Sequence, residues 1–303
     1  MYKWFLFLLP LSAFSQQPVY DILIRNGKIV DGTGNNWYYG NVAVKNGKIV
    51  KAGRAILDSA ASVIIDATGL VVAPGFIDVH THIEDNESRD PTAANFIYDG
   101  VTTVVTGNCG ESNTDIGKYL SWLHSLRLSV NVATLIGHND VRKAVMGLAN
   151  RDATPQEMLQ MEAMVNKAMQ DGAVGLSTGL IYIPGTYTKT PEIIALAKIV
   201  SKYGGVYATH IRDEGDSVVS AINEAIAIGR EAGIPVEISH FKLSGQQNWG
   251  RSKETIQMVK TAREQGIEVT IDQYPYTASS TSISTLLPDE ILADGQDSIR
   301  ARL

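Results

Sequence analysis

The chain of 303 residues contains a single cysteine, Cys109, so no disulfide can form within it. It has no excess of basic residues: 26 Lys and Arg stand against 32 Asp and Glu, a formal net charge of -6 with a pI near 5.5. Such a balance gives no positive field for gripping a phosphate backbone, which argues against nucleic acid as a partner. Long hydrophobic runs are also missing. The one near the N-terminus is too short for a comfortable membrane span, and no cysteine follows it to carry a lipid. No stable membrane anchor is therefore expected. What the chain does have is 44% hydrophobic content, enough for a large core in one big domain or two smaller ones. This composition suits a soluble protein that works on small molecules.

Residues 1–16 combine one basic residue, Lys3, with a short apolar run and then small residues. That is the pattern of a secretory signal peptide, with cleavage expected near Ser15 and export to a periplasm or beyond. Residues 17–70 read as the N-terminal part of a small β-sandwich domain. Two strand patterns are each interrupted by Asn-Gly-Lys, at Asn26-Gly27 and Asn46-Gly47, and both are expected to be hairpins with type I′ turns. A further strand is expected over 62–70.

From Val71 to Leu303 the pattern becomes strand, helix, strand, helix. Apolar β-like runs lie at 71–79, 101–106, 130–136, 173–179, 206–211, 236–241 and 268–272. Amphipathic helices are expected at 156–170, 191–203, 216–232 and 252–265, with Thr154-Pro155 and Thr190-Pro191 as cap and first-turn pairs. Such alternation implies a parallel α/β sheet. Runs that end in polar or histidine residues point to a (β/α)₈ TIM barrel, and no dinucleotide-binding glycine fingerprint follows the first strand. Seven strands are present and the eighth is missing, so the barrel is expected to be open at one edge and poorly stable alone.

The chemistry gathers at the ends of those runs. His80 and His82 close the stretch from Val71 and, one residue apart on a strand, point the same way toward a zinc-sized ion. His210 and His240 end the fifth and sixth runs. Arg212 and Lys242 each lie two residues further on, so strand parity aims them at the same mouth, where they would meet an anionic substrate; a solvated strand end is the plainer alternative for both. Cys109, between Gly107-Asn108 and Gly110, is open to three readings: a small buried hydrophobe, a metal ligand or a nucleophile. His138 could line the mouth without touching metal, and His124 sits on a helical stretch as a surface residue. Barrel hydrolases with two metals commonly bridge them through a carbamylated lysine on the fourth strand, and the run at 173–179 has no lysine.

The run through Pro74-Gly75-Phe76-Ile77-Asp78 to His80 and His82 resembles the signature of the amidohydrolase superfamily. Further segments narrow the likeness: Gly107-Asn108-Cys109-Gly110, Gly175 to Tyr182 with Pro184-Gly185, Thr209 to Arg212, Ser239 to Lys242, and Asp272 to Tyr276. From about residue 20 to residue 282 the chain resembles the D-aminoacylases, or N-acyl-D-amino-acid deacylases. The resemblance implies that Cys109 takes the bridging role of the missing lysine. It implies a tight zinc (Zn2+) held by Cys109, His210 and His240, with His80 and His82 forming a second, weaker site. It also implies that Lys242, Tyr274 and Ser280 hold the substrate carboxylate, with Tyr276 as a near alternative to Tyr274. The implied reaction is hydrolysis of an N-acyl-D-amino acid to a carboxylate and a free D-amino acid by metal-activated water. A D-specific dipeptidase, another N-acyl amide hydrolase, or a ligand-binding relic without catalysis are the alternatives. The family's general-base aspartate on strand eight is expected past Leu303, so residues 1–303 alone are expected to be inactive. Oligomeric state leaves no trace in the sequence.

Overall fold

The computed structural model describes residues 19–54, 56, 61–84, 87–287, 291 and 296–302. The signal peptide expected over 1–16, with its cleavage site near Ser15, lies outside them. The chain forms two compact units, one ending at Gly75 and one beginning at Phe76. The sequence pattern had placed that division at residue 70. The difference arises because Val71–Val72 (β5) pairs in parallel with the first strand of the small unit. Pro74, with no N–H to give a ladder, then interrupts the run.

In the small unit, β1 (Tyr20–Ile29), β2 (Tyr38–Lys45), β3 (Lys48–Gly53) and β4 (Ala61–Asp66) join β5 in one five-stranded sheet of order β3-β2-β1-β4, with β5 beside β1. Among the described residues this is a single mixed sheet, one layer of the kind expected from the N-terminal part of a sandwich. Leu23, Ala43 and Ile56 form its buried cluster. Asn46 and Gly47 link β2 to β3 with φ of 51° and 69°, both positive as a type I′ turn requires. Asn26-Gly27 behaves otherwise: β1 runs straight through it, with a register shift against β2 and Asn26 at φ 61°. The pair makes a bulge instead of a hairpin, because the Asn26 amide finds the side-chain oxygen of Asn41 at 2.9 Å in place of a ladder partner.

The large unit is built on seven parallel strands among the described residues. They are β6 (Phe76–Asp78), β7 (Val101–Thr106), the bent pair β8 (Asn131–Thr134) and β9 (Ile136–Gly137), β10 (Gly175–Gly179), β11 (Val206–His210), β12 (Val236–Ile238) and β13 (Val269–Ile271). Pairing runs β6-β7-β8 and β9-β10-β11-β12-β13, all in parallel. The amide of Leu135, at the bend, still bonds the Thr106 carbonyl, which carries the sheet across the join. The fold is an α/β partial TIM barrel, and each strand delivers its C-terminal end to one face.

Between the strands lie α1 (Ala94–Tyr98), α2 (Ile116–Leu126), α3 (His138–Met146), α4 (Pro155–Asp171), α5 (Thr190–Ser201), α6 (Val218–Ala232) and α7 (Ser252–Glu264). The apolar faces of α4, α5 and α6 bury Met161, Val165, Ile193, Leu196 and Ile222 in one cluster with Leu176, Tyr207 and Ile238 of the sheet. Each such side chain contributes about 1.5–3 kcal/mol on burial. Thr154 caps α4 in a reciprocal box: its hydroxyl accepts from the Glu157 amide at 3.3 Å while the Glu157 carboxylate accepts from the Thr154 amide at 2.8 Å. Thr190 does not cap α5 as expected. Lys189 holds the cap position, and the Thr190 hydroxyl donates to Glu224 on α6 at 2.8 Å. Among the described residues no helix is long and apolar enough to cross a membrane.

Candidate metal centre

Four strand ends supply the donors. After β6 the chain bends, and Asp78 accepts from the His80 amide at 3.1 Å. After β7 comes a turn with φ of 77° at Gly107, 55° at Cys109 and 82° at Gly110. His210 is the last residue of β11, and His240 follows β12 with φ 38°. Two donors that carry a β-carbon, Cys109 and His240, thus sit in left-handed backbone, a strain of order 1–3 kcal/mol each that clusters at functional sites.

The five donor side chains stand in a row. His82 Nε2 is 3.3 Å from His80 Nε2, which is 3.5 Å from Cys109 Sγ. The sulfur is 3.8 Å from His240 Nε2, and that nitrogen is 2.9 Å from His210 Nδ1. A tetrahedral ion with bonds of about 2.0–2.1 Å to nitrogen and about 2.3 Å to sulfur separates its donors by about 3.4 Å (N to N) and about 3.6 Å (S to N). Three of the four links fit that spacing, and the fourth is tighter. Two overlapping groups could each hold an ion: His80, Cys109 and His240; and His210, Glu214 and His240. His210 Nε2 is buried without a hydrogen-bond partner among the described residues. The donor chemistry fits a metal, and Cys109 stands between two histidine pairs.

The protonation states agree. Burial, reinforced by Asp272, Glu111 and Glu214, pushes the Cys109 thiol up to about 12. A thiol so weakly acidic is no nucleophile at neutral pH, and it ionises only against a strong positive charge such as a metal. Burial, then the neighbouring His240, pulls His210 down to about 3, which keeps it neutral as a ligand must be. His82 is lowered for the same two kinds of reason, burial and then His80.

Two carboxylates that sequence reading left without a role complete the surroundings. Asp272, just past β13, accepts from the His240 amide at 2.5 Å and meets His80 Nδ1 at 3.0 Å. Glu214 Oε1 lies 2.8 Å from His240 Nδ1 and 2.5 Å from Lys242 Nζ. Burial works against the Glu214 charge, but the His240 hydrogen bond and the charges of His210 and Lys242 prevail and hold its carboxyl down at about 2. Asp272 occupies the same place after its strand as the histidines do after theirs, a signal that could have found it. Glu214 sits four residues beyond His210 in a loop, where nothing distinguishes it from a solvated acid.

The expected substrate residues divide. Lys242 Nζ is 3.1 Å from His240 Nδ1 and 5.6 Å from the centre of the Tyr274 ring, which stacks on Tyr276 at 6.3 Å. Ser280 is exposed on the segment that follows. Arg212 does not join them. Its guanidinium grips Glu224 through two bonds of 2.9 Å and the carbonyls of Thr186 and Thr188 at 3.0 and 2.9 Å. Strand parity does not fix its direction, because β11 stops at His210 and alternation does not survive into the loop. A cavity of about 690 Å³ opens beside the centre, lined in part by Glu111, Tyr182, Ile183, Arg212, Ser284 and Leu287. The Tyr182 ring stands edge-on to His210 at 4.9 Å and its hydroxyl is 3.0 Å from Thr281. His124 is exposed on α2. His138 is fully buried at the start of α3, 3.0 Å from Glu192, and is structural.

Residues 63–266 match the family model described as Amidohydrolase family. A D-aminoacylase of Alcaligenes xylosoxydans xylosoxydans is 39% identical over 94% of this chain and 63% of its own length. A crystal structure of D-aminoacylase, 38% identical, superposes with a TM-score of 0.81 over 86% of this chain and 59% of that one. The N-acyl-D-glutamate deacylase of Bordetella bronchiseptica, solved with zinc and a phosphonate inhibitor, gives 36% identity and a TM-score of 0.78 over 85% of this chain and 59% of that one. The chain spans about three fifths of the length of these relatives.

Proposed function

This chain belongs to the amidohydrolase family, and from that premise we propose that the protein hydrolyses N-acyl-D-amino acids to a carboxylate and a free D-amino acid, with zinc at the five-donor centre. The observation that carries this reading is the place of Cys109, 3.5 Å from His80 and 3.8 Å from His240, midway between two histidine pairs on a barrel whose fourth strand has no lysine. When bound there, zinc supplies a Lewis acid that polarises the amide carbonyl and makes water acidic enough to attack near neutral pH.

The protein's own groups handle the rest of the substrate. Lys242 brings a positive charge to the edge of the centre, and an arriving carboxylate competes with Glu214 for it. Tyr274 and Ser280 add hydroxyl donors from the segment after β13. A carboxylate held at Lys242 would fix one end of the substrate, and the cavity beside Tyr182 offers room for a side chain, which is the basis on which D-selectivity is proposed. Asp272 and Glu214 hold His80 and His240 so that their free nitrogens face the sulfur and His210.

The test is to measure zinc content and N-acetyl-D-methionine hydrolysis together, with the L-enantiomer and Cys109→Ala alongside. About one zinc per chain or more, with turnover that is D-selective and lost in the variant, supports the proposal. A zinc-loaded protein inert on acyl-D-amino acids overturns the substrate class, and a metal-free one overturns the centre. Export rests on the pattern of residues 1–16. A mature N-terminus near Gln16 in the exported fraction supports it, and an intact Met1 overturns it.

A further inference from the structure

The turn that carries Cys109 does not hold itself. Three of its four residues from Gly107 to Gly110 have positive φ, and one of them is the cysteine. What holds it is the fourth strand. Ser177, with no exposed surface, uses both functions of its hydroxyl on this turn: Oγ accepts from the Gly110 amide at 3.0 Å and donates to the Gly107 carbonyl at 2.5 Å. The two bonds straddle the thiol. The neighbouring strand positions are glycines that let the turn lie against bare backbone. A β-carbon on Gly179 would stand 2.0 Å from the Cys109 carbonyl oxygen, and one on Gly137 would stand 2.3 Å from the Gly110 carbonyl oxygen. Asn139 fixes the Gly179 side of the slot, donating to its carbonyl at 3.0 Å and accepting from its amide at 3.3 Å.

We propose that Ser177 is a positioning residue for Cys109: by clamping both flanks of the turn, it sets the direction of the sulfur and hence the affinity of the centre for zinc, without touching the ion. This rests on the metal-centre reading above. Ser177 stands on the strand that has no lysine to send into the centre, and it serves the same centre indirectly, by presenting a ligand from the second strand.

The test compares the parent protein with Ser177→Ala and with Ser177→Thr, which keeps the hydroxyl. Zinc affinity is read by chelator competition, and the thiolate-to-metal charge-transfer absorption is read in the cobalt(II)-loaded protein. Ser177→Ala is expected to weaken zinc by about 10- to 100-fold and to diminish the thiolate band, and Ser177→Thr is expected to restore both. A merely structural role would lower the melting point of the metal-free variant while leaving affinity and band at parental values, and that result overturns the proposal. Should Ser177→Ala not fold, Ser177→Cys fills the same space with a weak hydrogen-bonding thiol, and parental zinc affinity in it overturns the proposal as well. A parent protein without zinc or without the band refutes the metal centre itself, which separates the two failures.

Discussion

The Asp272 carboxylate meets Nδ1 of His80 at 3.0 Å across the open side of the barrel, joining the ends of its first and seventh strands. The contact favours the tautomer in which Nδ1 donates to Asp272 and Nε2, 3.5 Å from the Cys109 sulfur, is left as the free nitrogen. In Asp272→Asn the side-chain oxygen keeps the His240 amide, and the amide nitrogen then faces His80 and reverses its tautomer. Zinc affinity is expected to fall about 10- to 100-fold with little change in melting temperature. Titration of the metal-free variant against a competing chelator checks this, and parental affinity would show that the contact does not orient the ring.

Gly179→Ala puts a methyl group 2.0 Å from the Cys109 carbonyl oxygen, backbone against backbone. Overpacking of this kind costs about 1–3 kcal/mol. The variant is expected to stay folded by circular dichroism while losing zinc on gel filtration, because the turn must move outward and take the sulfur with it. Full zinc retention would mean that the slot is looser than the contact distance indicates.

Arg142 is wholly buried, and its charge is met by Glu192 at 2.5 Å. Glu192→Gln leaves that guanidinium without a counter-charge and is expected to destabilise the fold by about 3–5 kcal/mol. Burial alone would raise the Glu192 carboxyl, but hydrogen bonds from His138 and Arg142 outweigh it and hold it below its ordinary 4.5. A depressed folded value means that this stabilisation is complete above pH 4.5 and is lost as the pH falls below it. Urea midpoints measured at falling pH should therefore drop more steeply in the parent than in Glu192→Gln, and parallel curves would refute the linkage.

Thr154→Ala removes one half of the capping box on α4. The expected loss is about 1 kcal/mol, or about 2–4 °C in melting temperature for a unit of this size. Thr154→Ser should melt with the parent. A scan of the three proteins decides the matter, and equal melting of Thr154→Ala would show that neighbouring packing makes the cap redundant.

What could be read ahead of the structure follows a physical divide. The seven strands and the main helices were legible because burial imposes a period on the side chains. The five candidate donors stand out in the sequence because each follows an apolar run, where a parallel barrel places its chemistry. Asn26-Gly27 was misread because the dipeptide specifies positive φ and nothing more. Whether it becomes a hairpin or a bulge depends on Asn41, fifteen residues away. The pairing of Arg212 with Glu224 was not legible because alternation ends with the strand and Glu224 lies on the following helix. Ser177 looks like any small strand residue until the turn it clamps is folded against it.

The donors come from four strands, and Cys109 and His240 are separated by 131 residues. At a synthesis rate of about 5–20 residues per second, the thiol emerges on the order of ten seconds before its far histidine, and Asp272 emerges later still. Contacts this distant in sequence form late, after much loop entropy has been lost. The centre is therefore not expected to nucleate the barrel, and metal uptake is expected late in assembly. Until then His80, His82 and Cys109 are an incomplete set, open to whatever soft ion the surroundings offer.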